Sequence, residues 1–331
     1  MSFTLSDFDY DLPEELIAQE PAHPRDHARL LVYDRQTGTI SDDHFYNLLD
    51  YLPSQTTLVV NNSKVEKCRL LFDNKEVFVL EARNDNTVRA MVRPGKKFKL
   101  DKTVQLTDQI TAEVTHIADD GIRTLQLTPG LDDPVFNNHR HTPFPPYIGQ
   151  NESLSDEYQT LYAKDLGSKA APTAGLHFTD ELLEKIEQSG ITRSEVTLHV
   201  GLGTFAPVKT ENIEEHEMHS EWFEITPKAA QELNQADHLT AVGTTSIRVL
   251  ESCVQENRSF EPIRRDTDIF IKPGYKFQAV DALITNFHLP KSTLLMLVAA
   301  LMGYDEMRRI YDHAIREKYR FYSFGDAMLI L

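Results

Sequence analysis

The 331-residue chain is poor in the features that announce several common protein classes. Its two cysteines, Cys68 and Cys253, stand far apart without a CxxC pair, so neither a disulfide framework nor a thiolate zinc site is expected. Its longest apolar run, Leu294 to Met302, is nine residues, far short of the roughly 20 that span a bilayer. The acidic opening MSFTLSDFDYDLPEEL lacks an apolar stretch of signal-peptide length, so the cytoplasm is the default expectation. Basic charge is scarce: 34 Lys and Arg against 51 Asp and Glu leave −17, which excludes indiscriminate nucleic-acid binding through counterion release.

Catalytic fingerprints are missing as well. GxSxG is absent, which removes a serine-hydrolase elbow. Pro290-Lys291-Ser292-Thr293 lacks the glycines of a phosphate loop. Gly201-Leu-Gly203-Thr204-Phe205-Ala206 imitates a dinucleotide fingerprint, but Pro207 follows at once and blocks the helix that would receive a pyrophosphate. Its glycines are read instead as points where backbone approaches a ligand closely. His216 and His219 are spaced i, i+3 without a fixed third ligand, so no metal is expected.

What is present divides the chain. Residues 62–150 hold 13 Lys and Arg against 12 Asp and Glu, a balance of +1, and the remainder carries −18. Short β-rich runs from Glu76 to Thr128, separated by Asp, Asn, Gly and Pro turns, predict a small antiparallel barrel or sandwich. It is read as an inserted domain, closed by Pro143-Phe144-Pro145-Pro146. The outer parts, 1–61 and 151–331, alternate strand, loop and helix and predict an α/β main domain built from both chain ends. Strands are expected at Leu30–Asp34, Thr56–Asn62, Ser194–Val200, Thr240–Thr245, Asp268–Lys272 and Ala282–Phe287. Helices are expected after Thr179, Thr245 and Lys291.

Three junctions place hydroxyl residues where a helix begins: Gly243-Thr244-Thr245-Ser246, Leu289-Pro290-Lys291-Ser292-Thr293, and 172–179, which contains Thr173, Gly175, His177 and Phe178. Free backbone N–H groups and the helix dipole make such a junction an anion site, whereas capping alone is the plainer reading of any single one. His177, His199, His216, His219 and His288 fall in the same half, and imidazole is the side chain most easily set to move protons near neutrality. In the middle region Arg93-Pro-Gly-Lys96-Lys97-Phe98-Lys99 reads as a basic hairpin loop with an aromatic inside it, suited to RNA backbone, with Lys64, Lys67 and Arg69 extending the patch.

The stretches YQTLYAKDLGSKAAPTAGLHFT, LHVGLGTFAPV, EEHEMHSEW, VGTTSIRVLES, FIKPGYKF and NFHLPKSTLLMLV closely resemble the S-adenosylmethionine:tRNA ribosyltransferase-isomerases of queuosine biosynthesis, as do both chain ends. The resemblance implies transfer and isomerisation of the ribosyl part of S-adenosylmethionine onto 7-aminomethyl-7-deazaguanine at the tRNA wobble position. An epoxycyclopentanediol forms there, and adenine and methionine leave. It implies an α/β domain with an inserted β-barrel, S-adenosylmethionine as co-substrate, no resident cofactor or metal, and tRNA of GUN anticodon (Asn, Asp, His and Tyr types) as partner. A monomer without membrane contact is expected.

The sulfonium acidifies the C5′ protons, so neutral imidazole suffices as base, and His177 or His199 is expected to carry the proton. Arg248, with Thr244, Thr245 and Ser246, is expected to hold an anionic group. Phe178, Phe205, Phe287 and Tyr275 are expected to stack on adenine or the target base. Asn61, Thr173, Gly175, Gly201, Gly203, Thr204, His219, Asn286, His288, Lys291 and Ser292 complete the expected substrate contacts, and Lys64, Arg69, Arg93, Lys96 and Lys97 the RNA contacts. One departure stands out. Where the family pattern NDTRVIPARL is expected, this chain has Asn61-Asn62-Ser63-Lys64-Val65-Glu66-Lys67-Cys68-Arg69-Leu70, losing a carboxylate at Asn62. Two other readings stay open at this stage, an S-adenosylmethionine-dependent RNA methyltransferase and a catalytically impaired tRNA-binding homologue.

Overall fold

β-branched runs set the first strands of the computed structural model, which describes residues 3–149, 151–201, 208 and 210–331. β1 (Arg29–Asp34) and β2 (Thr39–His44) form an antiparallel hairpin closed by Gly38 at φ +71°. FYNLLD follows as a 3-10 helix, Phe45–Asp50, and β3 (Thr56–Asn61) is buried along its whole length. Burial on both faces is what a central parallel strand requires.

Then come β4 (Ser63–Val65), β5 (Arg69–Phe72), β6 (Lys75–Ala82), β7 (Thr87–Arg93), β8 (Thr103–Gln105), β9 (Thr111–Ile117), β10 (Arg123–Thr128) and β11 (Arg140–His141). Except for β4, these form one antiparallel sheet in the order β11-β5-β6-β7-β10-β9-β8. The expected small antiparallel barrel or sandwich is a curled half-barrel with β11 and β8 at its edges. Alternate residues such as Leu70, Val77, Val88, Val114 and Leu125 fill one face, as a two-residue period dictates. Phe98 lies in this core with 0% exposure, and residues Gly95–Lys97 form a 3-10 turn. The expected loop aromatic is therefore a packing residue, whose burial contributes about 1.5–3 kcal/mol.

The rest of the chain adds β12 (Asp165–Ser168), α1 (Asp180–Gln188), β13 (Thr192–Leu198), β14 (Glu221–Ile225), α2 (Pro227–Gln235), β15 (His238–Val242), α3 (Thr244–Cys253), β16 (Ile263–Thr267), β17 (Ala282–Asn286), α4 (Thr293–Met302), α5 (Tyr304–Arg316) and β18 (Ala327–Ile330). They complete a nine-stranded mixed sheet, β16-β14-β13-β3-β15-β17-β18-β1-β2. Two chain segments separate as compact units: Met1–Lys64 with Pro145–Gly149 and Asp156–Leu331, and Val65–Phe144 with Gln150–Ser155.

Asp268–Lys272, expected as a strand, is not one; β16 lies just before it as Ile-Arg-Arg-Asp-Thr, an edge strand whose central residues are exposed. Helix signals were sharper. Thr179 Oγ1 accepts the Leu182 N–H at 3.2 Å, and Ser292 Oγ accepts that of Leu295 at 3.1 Å. Each such cap is worth about 1 kcal/mol. α4 is apolar all round and buried, whereas α5 buries only the stripe Met307, Ile310, Tyr311 and Ala314.

Candidate active site

β13, β3, β15 and β17 run parallel, so their carboxyl ends share one edge of the large sheet, with β13 and β15 on opposite sides of β3. Open α/β sheets bind ligands at such an edge. A cleft lies there, walled by Val200 beyond β13, Gly243, Thr244 and Thr245 beyond β15, and Thr285–Leu289 at the end of β17. Ala171, Pro172, Thr173, Ala174, Ser292, Leu294, Tyr147, Tyr322 and Ser323 complete the lining. Gly243 turns the chain from β15 into α3 at φ +86°, ψ 153°, a conformation nearly confined to glycine. Among the described residues no Asp or Glu lines the cleft, which presents hydroxyls, amides and aromatic rings.

Of the expected site residues, Thr173, Thr244, Thr245, Asn286, Phe287, His288 and Ser292 line this cleft. Thr173 Oγ1 donates to Asn286 Oδ1 at 3.0 Å, and the Asn286 amide nitrogen meets His177 Nε2 at 3.1 Å. His177 is buried, its ring 5.0 Å from that of Phe45. Burial, reinforced by Arg320 and Arg25, drives its pKa down to about 3. Its Nε2 accepts from the Asn286 amide, and its ring is held neutral by its burial. His288 is likewise held neutral, its pKa pushed down to about 3 by burial, with Nε2 2.9 Å from Thr285 Oγ1.

His199 is different. It is half-buried and stacks on Trp222 with ring centroids 5.1 Å apart, and its Nδ1 has no partner among the described residues. Burial lowers its pKa, Lys169 lowers it further and Asp165 opposes both. A Cβ at Gly167 would stand 3.0 Å from its Nε2, so that glycine keeps the ring's edge clear. Lys169, which sequence reasoning passed over, donates its backbone N–H to Val200 O, and burial lowers its ammonium pKa to about 8.

Several expected contacts are engaged within the protein. Asn61 spends its amide bridging β3 to β13, donating to Leu198 O at 3.0 Å and accepting from Leu198 and Ser63 N–H groups. Gly175 is required by packing, because a Cβ there would lie 2.0 Å from Tyr162 Oη. Ser246 Oγ donates to Val242 O at the end of β15, and Lys291 Nζ pairs with Asp9 at 2.6 Å. Arg248 is paired with Glu221 in the interior. Phe178 and Phe287 are 0% exposed, the first edge-on to Phe45 and the second among Tyr311, Tyr319 and Phe321. Tyr275 donates to Glu251 Oε2 at 3.0 Å. His219 is exposed, and no group of metal ligands occurs among the described residues. Gly201 donates to Glu221 at 2.7 Å; Gly203, Thr204 and Phe205 lie outside the described residues.

The cleft's aromatic faces are Tyr147 and Tyr322, centroids 4.5 Å apart, and Tyr147 Oη bonds Ser323 Oγ at 2.8 Å. The missing carboxylate at position 62 also has a local account. Asn62 Oδ1 accepts from Thr197 Oγ1 at 2.7 Å, and its amide faces Glu195 Oε2 at 3.4 Å, where an Asp would meet a like charge. Among the RNA candidates, Lys64, Arg93, Lys96 and Lys97 are exposed, Lys97 bonding Asn74 at 2.8 Å. Arg69 is instead paired with Glu76 at 2.8 Å.

The fold and cleft define an α/β protein with a hydroxyl-rich ligand site at the carboxyl ends of parallel strands. Comparison with known proteins narrows this. Residues 5–330 match the family described as queuosine biosynthesis protein, and the chain belongs to it. It is 47% identical over 99% of its length to an S-adenosylmethionine:tRNA ribosyltransferase-isomerase from Desulfitobacterium hafniense, covering 99% of that protein. One of the same name from Fusobacterium nucleatum is 46% identical, with 100% of this chain and 97% of that protein aligned. A crystal structure of S-adenosylmethionine tRNA ribosyltransferase from Thermotoga maritima is similar in fold, with TM-score 0.58 and 37% identity over 98% of this chain and 100% of that one.

Proposed function

We infer that this chain is a transferase and isomerase that moves the ribosyl part of S-adenosylmethionine onto 7-aminomethyl-7-deazaguanine in tRNA, giving epoxyqueuosine-tRNA and releasing adenine and methionine. The observation that carries the reading is full-length identity near 47% with enzymes of that name. The acid-free cleft supports it, because a carboxylate there would compete for the sulfonium charge that activates the donor.

In this reading the cleft binds the donor, with Tyr147 and Tyr322 as stacking faces for adenine and Thr173, Thr244, Thr245, Asn286 and His288 as polar contacts. His199 removes the C5′ proton, with burial and, to a lesser extent, Lys169 lowering its pKa so that the ring stays neutral near pH 7. The C1′–N bond to adenine breaks and the departing base takes up a proton. The aminomethyl nitrogen bonds the ribosyl carbon skeleton and gives up a proton, the C5′ carbon closes the carbocycle, and an oxyanion closes the epoxide as the C5′–S bond breaks and methionine leaves.

The segment 62–150 serves as an inserted domain whose exposed Lys96, Lys97 and Arg93 meet RNA phosphates. The partner is tRNA with a GUN anticodon, and the enzyme works as a monomer in the cytoplasm. No helix among the described residues is long and apolar enough to cross a membrane. Product analysis with precursor tRNA and labelled donor tests the reading. Free adenine is expected; S-adenosylhomocysteine would identify a methyltransferase, and an unconsumed donor with bound tRNA would identify an inactive binding protein.

A further inference from the structure

Arg248 is 5% exposed, yet only one of its guanidinium nitrogens has a partner among the described residues. Nη1 meets Glu221 Oε2, and the other oxygen of that carboxylate accepts the Gly201 N–H at 2.7 Å. Nε and Nη2 are buried without a hydrogen-bond partner among the described residues. These two nitrogens form one edge of the planar fork, with parallel N–H groups spaced to meet the two oxygens of a carboxylate. Glu221 balances the charge but leaves this edge unsatisfied, and buried donors without acceptors are costly.

Two connections join Arg248, which does not itself line the cleft, to residues that do. Thr244 and Thr245, which line the cleft, precede Arg248 by four and three residues on α3 and so share its face. Helical side chains lean toward the helix N-terminus, which carries the guanidinium toward that first turn. From the other side, Glu221 ties Arg248 to Gly201, next to the cleft residue Val200. Thr245 Oγ1 is buried and also lacks a partner among the described residues.

We propose that the Nε and Nη2 edge of Arg248, together with Thr245 Oγ1, receives the α-carboxylate at the methionyl end of S-adenosylmethionine. This rests on the donor assigned above. Arg248 then anchors the part of the donor that departs as methionine, and Glu221 orients the fork while neutralising its charge. A phosphodiester of the tRNA offers the same pair of oxygens, so the test must separate the two sources.

Calorimetric titration of wild-type protein and of Arg248→Lys with S-adenosylmethionine and with its decarboxylated analogue provides that test. Lysine keeps a positive charge opposite Glu221 but has no planar fork. Wild-type protein is expected to bind the decarboxylated analogue at least about tenfold more weakly, whereas Arg248→Lys binds the two alike and keeps its tRNA affinity. Equal binding of both compounds by wild-type protein overturns the proposal without recourse to any variant. So does an Arg248→Lys protein that loses tRNA affinity while still discriminating between the donors, which assigns the edge to phosphate. Adenine release by wild-type protein, measured in parallel, separates the two levels: its absence sinks the ribosyl-transfer reading, and its presence without carboxylate discrimination sinks only this proposal.

Discussion

Asn286 stands between Thr173 and His177, accepting from the Thr173 hydroxyl at 3.0 Å and meeting His177 Nε2 at 3.1 Å through its amide nitrogen. One side chain at the end of β17 thereby joins the cleft wall to a buried neutral ring. Asn286→Ala leaves both neighbours without this partner. It is expected to cost about 1–3 kcal/mol in urea unfolding and to lower kcat for adenine release at least about tenfold. Unchanged turnover would remove Asn286 from the site.

His199 carries the proton in the proposed mechanism, so His199→Ala is expected to lower kcat by roughly 10²–10⁴. The positive charge of Lys169 depresses the His199 pKa, so Lys169→Met raises it. The rising limb of kcat against pH then moves to higher pH. A limb that stays in place in Lys169→Met would dissociate the two residues.

Gly175 and Tyr162 are expected to be coupled sterically. Gly175→Ala places a Cβ 2.0 Å from Tyr162 Oη and 2.8 Å from Thr160 Cγ2. The change should destabilise by about 1–3 kcal/mol. Adding Tyr162→Phe removes the nearest atom and should restore part of the loss, a coupling that a double-mutant cycle of thermal melts measures directly.

Stability is expected to fall as acid is added from near neutrality. His177 and His288 have folded pKa values of about 3, below the 6.5 of an unperturbed imidazole, so the unfolded chain takes up these protons first. Stability from each is therefore present above about pH 6.5 and lost toward pH 3, by about 1.4 kcal/mol per pH unit per histidine. Denaturant titrations between pH 7.5 and 5 read the slope, and His288→Gln should flatten it by one proton. An unchanged slope in that variant would mean that His288 is not buried neutral.

Much of the site frame was legible in the sequence because local chemistry enforced it. Thr179 and Ser292 are N-caps in a strong sense, and β3, β15 and β17 have the continuous apolar runs that two-sided burial demands. β16 escaped because an exposed edge strand written Ile-Arg-Arg-Asp-Thr has no apolar alternation. The histidines were found, but their roles were not, since whether an imidazole is a base depends on burial that spacing does not reveal. Tyr147 and Tyr322 were missed for a related reason: 175 positions apart, they meet only through the fold, although the aromatic density of Tyr319-Arg-Phe-Tyr322-Ser-Phe324 was a usable signal. Asn61 looked like a ligand contact and is a strand bridge, because a buried amide at a sheet's carboxyl edge serves either purpose equally well.

The most direct measurement is the stoichiometry of adenine release against the mass gained by the tRNA nucleoside in a single reaction. One adenine and one methionine released for each deazaguanine converted to its epoxycyclopentanediol derivative is the predicted result. Conversion by a single methyl group with no adenine, or no conversion with tRNA bound, would contradict the assignment.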